Sequence, residues 1–413
     1  MGIEQRDAAR ALFPPLDALD AVGPLATPDV LIDAAAFIRG YMKAFPSVQL
    51  ALRMARGFAT YLRRLFPGPR RFHFLLEGAV PTVKAHVRAH RSTSHAADLR
   101  RKGVDLDAAS ADAALPAAIR DAAGVPGDAP VRAVLAQYAR RAPDEVAAGA
   151  AGAPEAIQRD LVHRIMPELE RICLAAALAM TGDATAQIAD GDDTLPPEGE
   201  AKALPYARRL GRPCLFVGND TDIFVIALLQ VPRFADHPDV YYYDIARRRV
   251  QKGAPHIIDL VACVRALPRP GVAPRDIALA LLLCGNDYVP APDDKHMTLC
   301  RLSAKRARND DTYWAAYQLV AATRGDAEAL TDLVATCFDA KVAYTRFDAK
   351  VAYTRFDAKV AYTRADVGAY VRRAMVAADY YNADSLADVP PDAAWLAHGW
   401  ETMTRPRVIA ADN

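Results

Sequence analysis

Short apolar runs that end at or beside an acid recur along this chain, separated by stretches with helical spacing. Asp29–Asp33 (DVLID) predicts a short buried strand, and 34–66 a helical stretch interrupted near Pro46. Arg71–Leu76 (RFHFLL) predicts a second strand, followed by Glu77-Gly78 and a basic helix over 82–102. From about 96 to 195 the composition shifts to Ala, Gly, Asp and Pro, with helices predicted at 129–141 and 157–180. Strand character returns at Pro213–Val217 (PCLFV), and a helix follows from Asp222. Val240–Tyr243 and Arg248–Gln251 resemble a hairpin turning near Ala246, with helices over 257–267 and 274–284 after it. Beyond 311 the chain is helical and carries no obvious site. Strands separated by helices predict an α/β fold with a mostly parallel central sheet flanked by helices. Residues 1–95 and 196–310 then form the two parts of one domain, 96–195 an insertion and 311–413 a helical C-terminal region.

One repeat breaks this pattern. FDAKVAYTR occurs in tandem at 338–346, 347–355 and 356–364. Nine residues make about two and a half helical turns, so successive copies would face opposite sides. No continuous apolar stripe results, and a duplication in a tolerant peripheral segment is the expected meaning.

Composition narrows the function classes. The 413 residues hold 51 Lys and Arg against 50 Asp and Glu, a net charge of +1. Disorder of the whole chain is excluded by its hydrophobicity. So small a net charge argues against binding by bulk charge and leaves local basic patches. Apolar runs such as Ile172–Met180 and Ile277–Cys284 fall well short of the roughly 18 residues that span a bilayer. The start shows no apolar signal segment, and Arg6 stands where a myristoylation motif wants Ser or Thr. An intracellular protein with no membrane partner is therefore expected. Cys173, Cys214, Cys263, Cys284, Cys300 and Cys337 include no CxxC pair and are expected to be reduced, mostly buried thiols.

The chemistry lies in the acids. Asp33 ends the first strand and Glu77 follows the second. Glu198 and Glu200 open a helix in LPPEGEAKAL, Asp220 and Asp222 follow a strand in LFVGNDTDIFVI, and Asp287 follows an apolar helix in LALLLCGNDYV. In an open parallel sheet the carboxyl ends of the strands converge on one crevice. Crowded carboxylates repel one another, and hard cations such as Mg²⁺ or Mn²⁺ relieve that repulsion. Two such ions about 4 Å apart suit phosphodiester cleavage.

These residues resemble the motifs of the flap endonuclease (XPG-like) family of structure-specific 5′ nucleases, part of the wider PIN-like fold. Met1-Gly2-Ile3 resembles that family's N-terminus, and VLIDAAAFIRG its first acidic strand. FLLEGAVPTVKAHVRAHR resembles its FDGxxPxxKxxxxxxR motif, with Glu77, Gly78, Pro81, Lys84 and Arg91 in step. PPEGEAKA resembles P-x-E-A-E-A, GNDTDIF resembles (S/E)DxD, and LLLCGNDYVP resembles LLGxDY. The resemblance covers about residues 1–290, in the family's order. It implies a PIN-like 5′-nuclease fold with a helical cap over single-stranded DNA in the 96–195 segment. It also implies two Mg²⁺ ions held by Asp33, Glu77, Glu198, Glu200, Asp220, Asp222 and Asp287, and contacts from Lys84 and Arg91 to the scissile phosphate. Gly2 joins the nucleic-acid contacts on the same ground. Glu77 departs from the family's Asp.

The basic side chains Arg88, Arg100, Arg101 and Lys102 extend the Lys84–Arg91 helix into a phosphate-binding strip. Tyr41, one turn after Phe37, is placed to stack on a base. His86 and His90 have a spacing that can bind zinc, but no further ligand pattern supports it. After Asp287 the family's glycine-rich helix–two-turn–helix is missing, and Arg301, Lys305, Arg306 and Arg308 stand in its place as phosphate contacts. No sliding-clamp motif is visible. Divergence with the acids kept resembles the flap-endonuclease-like proteins of large DNA viruses, which implies action in the nucleus or at a viral replication site. The expected function is Mg²⁺-dependent cleavage of branched or flapped DNA in replication, repair or recombination. An RNA-cutting member of the superfamily and a non-cleaving DNA-end scaffold are the alternatives.

Overall fold

A computed structural model describes residues 6–17, 19–33, 65–66, 70–75, 187–188, 195–196, 198–245, 256–267, 271–285, 297–305, 308–344 and 363–384, with backbone alone at 187–188 and 338–344. Six strands form one sheet: β1 (Asp29–Asp33), β2 (Arg71–Leu75), β3 (Gln187–Ile188), β4 (Cys214–Gly218), β5 (Val240–Asp244) and β6 (Ile257–Asp259). Their spatial order is β3-β2-β1-β4-β5-β6. Every pairing is parallel except β5 with β6. The fold is therefore α/β with a mostly parallel sheet, as the alternation of runs implied. The order also contains a reversal. The chain moves outward from β1 through β2 to β3, then returns to β1's other side with β4.

β1 and β4 are buried at every position. Strands covered on both faces must be apolar throughout, which is why DVLID and CLFVG read as runs and not as alternations. On one face lies α3 (Gly199–Leu210), which runs back across β1 and β2, with Tyr206 against His73. Beside it is α4 (Asp222–Gln230), buried on all sides. Phe224 of α4 stacks on Phe13, just after α1 (Arg6–Leu12), and meets Tyr242 edge-on. Truncating a ring held this way costs about 3–5 kcal/mol. On the opposite face Phe66 packs against Phe72 and Tyr243.

The four-residue helix α2 (Val22–Leu25) precedes β1. After β6 come α5 (Leu260–Ala266), α6 (Pro274–Leu283), α7 (Leu299–Leu302), α8 (Asp310–Ala322), α9 (Ala327–Tyr344) and α10 (Arg364–Tyr381). α6 starts with Pro274 in its first turn, and the Ala273 amide donates to Asp276 Oδ2 at 2.8 Å. α8 and α10 pack on α6, and α10 also packs on α4, so the C-terminal helices belong to the same core. No disulfide joins the described cysteines. Among the described residues, no helix is long and apolar enough to cross a membrane.

Two expectations change. The helix expected over 257–267 begins only at Leu260, because Ile257–Asp259 pairs with the edge of β5. Two β-branched residues favour extension there, and Asp259 then caps the helix by accepting from the Ala262 amide at 2.8 Å. The expected strand over 248–251 lies outside the described residues. So do the helices expected over 82–102, 129–141 and 157–180, and all but 65–66 of the one over 34–66.

At the amino edge of the sheet sits a closed polar cluster. The Asp29 carboxylate is fully buried and accepts from Arg71 at 2.5 Å and His73 Nε2 at 2.8 Å. Arg212 Nε lies 2.7 Å from its Oδ2. His73 Nε2 must carry the proton given to Asp29, so Nδ1 accepts from the Tyr206 hydroxyl at 3.0 Å. Burial alone would raise the Asp29 pKa, but the His73 and Arg71 hydrogen bonds and the Arg212 charge outweigh it and leave the group below its ordinary value. Burial also pushes the neighbouring Cys214 thiol up to about 12, which makes it inert.

Candidate active site

The carboxyl edge of the sheet carries the other acids. Asp33 is the last residue of β1, and Asp220 and Asp222 lie in the turn from β4 into α4. β1 and β4 are the neighbours at which the strand order reverses. In open α/β sheets that crevice is where ligands bind. A glycine-rich phosphate loop would be needed there for a dinucleotide; this chain has Asp33-Ala-Ala-Ala instead.

α3 begins against the same point. A Cβ placed on Gly199 would lie 3.1 Å from Asp33 Oδ1 and 3.2 Å from the Leu75 carbonyl oxygen. The helix start is thus pressed onto the ends of β1 and β2, with Glu198 and Glu200 on either side of the contact. Asp33, Glu198, Glu200 and Asp222 are 4%, 6%, 7% and 0% exposed, and Asp220 is half-buried. Helix starts favour acids through the dipole and the open amides. That preference places acids at a surface. It does not account for several of them buried at one edge, where each raises the cost of ionising the next.

Two buried tyrosines knit the acids together. The Tyr242 hydroxyl donates to the Asp220 carbonyl oxygen at 3.0 Å and holds the β4–α4 turn. The Asp222 amide donates to Asp220 Oδ1 at 3.2 Å. Burial, then the charges of Asp244, Asp220 and Asp33, hold Tyr242 well above its ordinary pKa. Tyr381, the last residue of α10, donates its hydroxyl to Asp222 Oδ2. Burial, then the charges of Asp222, Glu198 and Glu200, drive its pKa up, so it remains a donor. The charges of six described acids, Asp244 among them, thus raise the pKa of one or the other of the two tyrosines.

Asp244 is a sixth acid at this edge. Gly218 pairs with Asp244, and one step beyond the Ile32–Val217 pair the same row reaches Asp33. Asp33 and Asp244 thus flank a residue without a side chain, about 10 Å apart across two strand spacings. The VYYYD run ends in an acid just as DVLID does, and that signal was legible. Tyr381 had no such signal: it lies beyond 311, where the chain is helical and shows no obvious site in its sequence.

The structure places Asp33, Glu198, Glu200, Asp220 and Asp222 at the same edge of the sheet. Arg301 and Lys305, in and just after α7, and Arg308, just before α8, are exposed. Glu77, Asp287, Lys84, Arg91, Gly2, Tyr41, Arg88, Arg100, Arg101, Lys102 and Arg306 lie outside the described residues. Among the described residues, no group of three or more His, Cys, Asp or Glu is arranged to hold a metal ion. No known protein family and no curated protein matches this chain.

Proposed function

We propose that this chain is a divalent-metal-dependent nuclease of PIN-like fold, cleaving phosphodiester bonds in DNA in the manner of the flap endonucleases. The observation that carries this reading is the set of acids, all but half-buried Asp220 buried, where the strand order reverses: Asp33 at the end of β1, Asp220 and Asp222 after β4, and the Glu198-Gly199-Glu200 helix start pressed on Asp33. The donor chemistry fits a hard cation, being all carboxylate oxygen. Asp33, Glu198, Glu200, Asp220 and Asp222 would hold the ions, with Glu77 and Asp287 added by the family resemblance. When bound, Mg²⁺ or Mn²⁺ supplies Lewis acidity toward the scissile phosphate and lowers the pKa of water.

The chain's own residues do the rest. The carboxylates, preorganised by burial and by the two tyrosines, set where the phosphate can sit. Lys84 and Arg91 neutralise charge developing on it, by the same resemblance. Arg301, Lys305 and Arg308 offer backbone contacts without base readout, so affinity falls steeply with salt.

Purified protein offered labelled flap, nicked and single-stranded DNA, and matched RNA, with Mg²⁺ or with EDTA, tests this directly. Cleavage of DNA that needs Mg²⁺ and is lost in Asp222→Ala and Asp220→Ala, with melting behaviour kept, is the expected result. Near wild-type turnover in either variant at saturating Mg²⁺ would falsify the site. Preference for RNA would move the substrate class and leave the site intact.

A further inference from the structure

The helix that the sequence motifs leave out reaches the acidic mouth, and it is clamped where it does so. The Tyr381 hydroxyl donates to Asp222 Oδ2, and its side chain is fully buried. Gln230 Nε2, also buried, donates to the Tyr381 carbonyl at 2.9 Å and to the Ala383 carbonyl at 3.2 Å. Gln230 Oε1 accepts from Arg208 of α3 at 3.3 Å. Arg208 and Arg233 both pair with Asp384, the latter at 2.8 Å. Arg233 also donates to the Asn382 carbonyl. Asp222 and Gln230 are the first and last residues of α4. Tyr381 is therefore tied by its backbone to one end of α4 and by its hydroxyl to the other, an interval of about 12 Å along the helix.

We propose that Tyr381 is a positioning residue for the Asp222 carboxylate, setting its rotation for a divalent cation. This rests on the reading of the acids as metal ligands. A carboxylate held by an outer hydrogen bond presents its oxygens in a fixed plane, and the loss of such a partner weakens metal affinity. The buried acid needs a donor that stays neutral, and a tyrosine hydroxyl among carboxylates meets that need. A lysine or arginine there would compete with the cation. α10 acts at a second place in the same way. The Tyr370 hydroxyl donates to the Leu283 carbonyl at 2.6 Å, at the end of α6 and four residues before Asp287. The helix thus touches two of the segments that lead to or from an acid motif.

Tyr381→Phe keeps the ring and removes the donor. Mn²⁺ titrated into the substrate-free full chain, followed by electron paramagnetic resonance, should show affinity about tenfold weaker than wild type. Asp222→Asn should weaken it as well, and adding Tyr381→Phe to Asp222→Asn should cost nothing more. Wild-type affinity in Tyr381→Phe overturns the positioning role and leaves the metal site standing. An equal further loss in the Asp222→Asn background overturns it too, since the hydroxyl would then act through general structure. Gln230→Met, which loosens the clamp without touching Asp222, should weaken Mn²⁺ in the same direction; if Tyr381→Phe does not fold, unchanged affinity in Gln230→Met overturns the role. No Mn²⁺ binding by the wild-type chain overturns the metal reading and this inference with it.

Discussion

Gly199→Ala probes how tightly the start of α3 is fitted to Asp33. An added Cβ would sit 3.1 Å from Asp33 Oδ1 and 3.2 Å from the Leu75 oxygen, where ordinary contact starts at 3.4 Å, so a neighbour must yield by a few tenths of an ångström. The Leu75 oxygen belongs to a paired strand and cannot retreat alone; the Asp33 carboxylate can turn. The backbone itself welcomes the change, because Gly199 is helical and Ala gains up to about 1 kcal/mol over Gly in a helix. Crowding opposes that gain, so net stability should move by less than about 1 kcal/mol. Chemistry should respond more. If a misplacement of 1 Å costs about a hundredfold, a few tenths cost about threefold to fivefold in cleavage rate. Thermal melting measured beside cleavage over a Mg²⁺ titration separates the two effects. A higher melting temperature with unchanged rates at every Mg²⁺ concentration would refute the reasoning and show that Gly199 does not set the spacing of the acids.

Asp29→Asn removes the anion that Arg71, Arg212 and His73 share. It should lower stability by about 2–3 kcal/mol, short of the range for fully buried pairs because both arginines reach solvent; an unchanged urea midpoint would show that the cations are solvated at no cost. The same cluster predicts loss of stability in acid. His73, held below 6.5 chiefly by burial, stays neutral in the fold while the unfolded chain takes up protons, so stability falls as pH drops below about 6.5. Asp29, held below 3.8, adds stability that is present above that pH and lost as pH falls through its folded value. Melting temperatures that rise as pH falls from 7 to 4 would contradict the His73 sign, and a rise as pH falls further below 3.8 would contradict the Asp29 sign. Deleting one FDAKVAYTR copy should leave activity and melting unchanged, because each copy ends in Thr-Arg followed by x-Asp and the deletion regenerates the box by which Thr363 and Asp366 cap α10. Loss of either would show that the length of the 345–362 segment is used.

The sequence by itself determined four of the six strands and most of the acids; β3, in the Ala-rich segment, and β6, expected as helix, it did not. A central strand covered on both faces must be continuously apolar, so DVLID, RFHFL and CLFVG announce themselves, and an acid at the end of such a run stands out. It also placed Glu198, Glu200 and Asp222 at helix starts, because the change from run to helical spacing is local. Tertiary structure decided what each acid does. Asp29 and Asp33 bound the same five-residue strand, yet one is neutralised by Arg71, Arg212 and His73 while the other joins the mouth. Strand direction sends them to opposite edges, and only pairing with β2 and β4 says what waits there. Ile257–Asp259 became strand because β5 offered an open edge, a fact about a neighbour and not about those residues. Asp244 ends VYYYD as Asp33 ends DVLID, so the same rule marks it. Tyr381 was not legible at all: it lies 159 residues from Asp222, in a helix whose own pattern only says which face is buried. Local sequence encodes period and burial; which buried side chain meets which is settled when finished elements pack, and that choice is made across the whole chain at once.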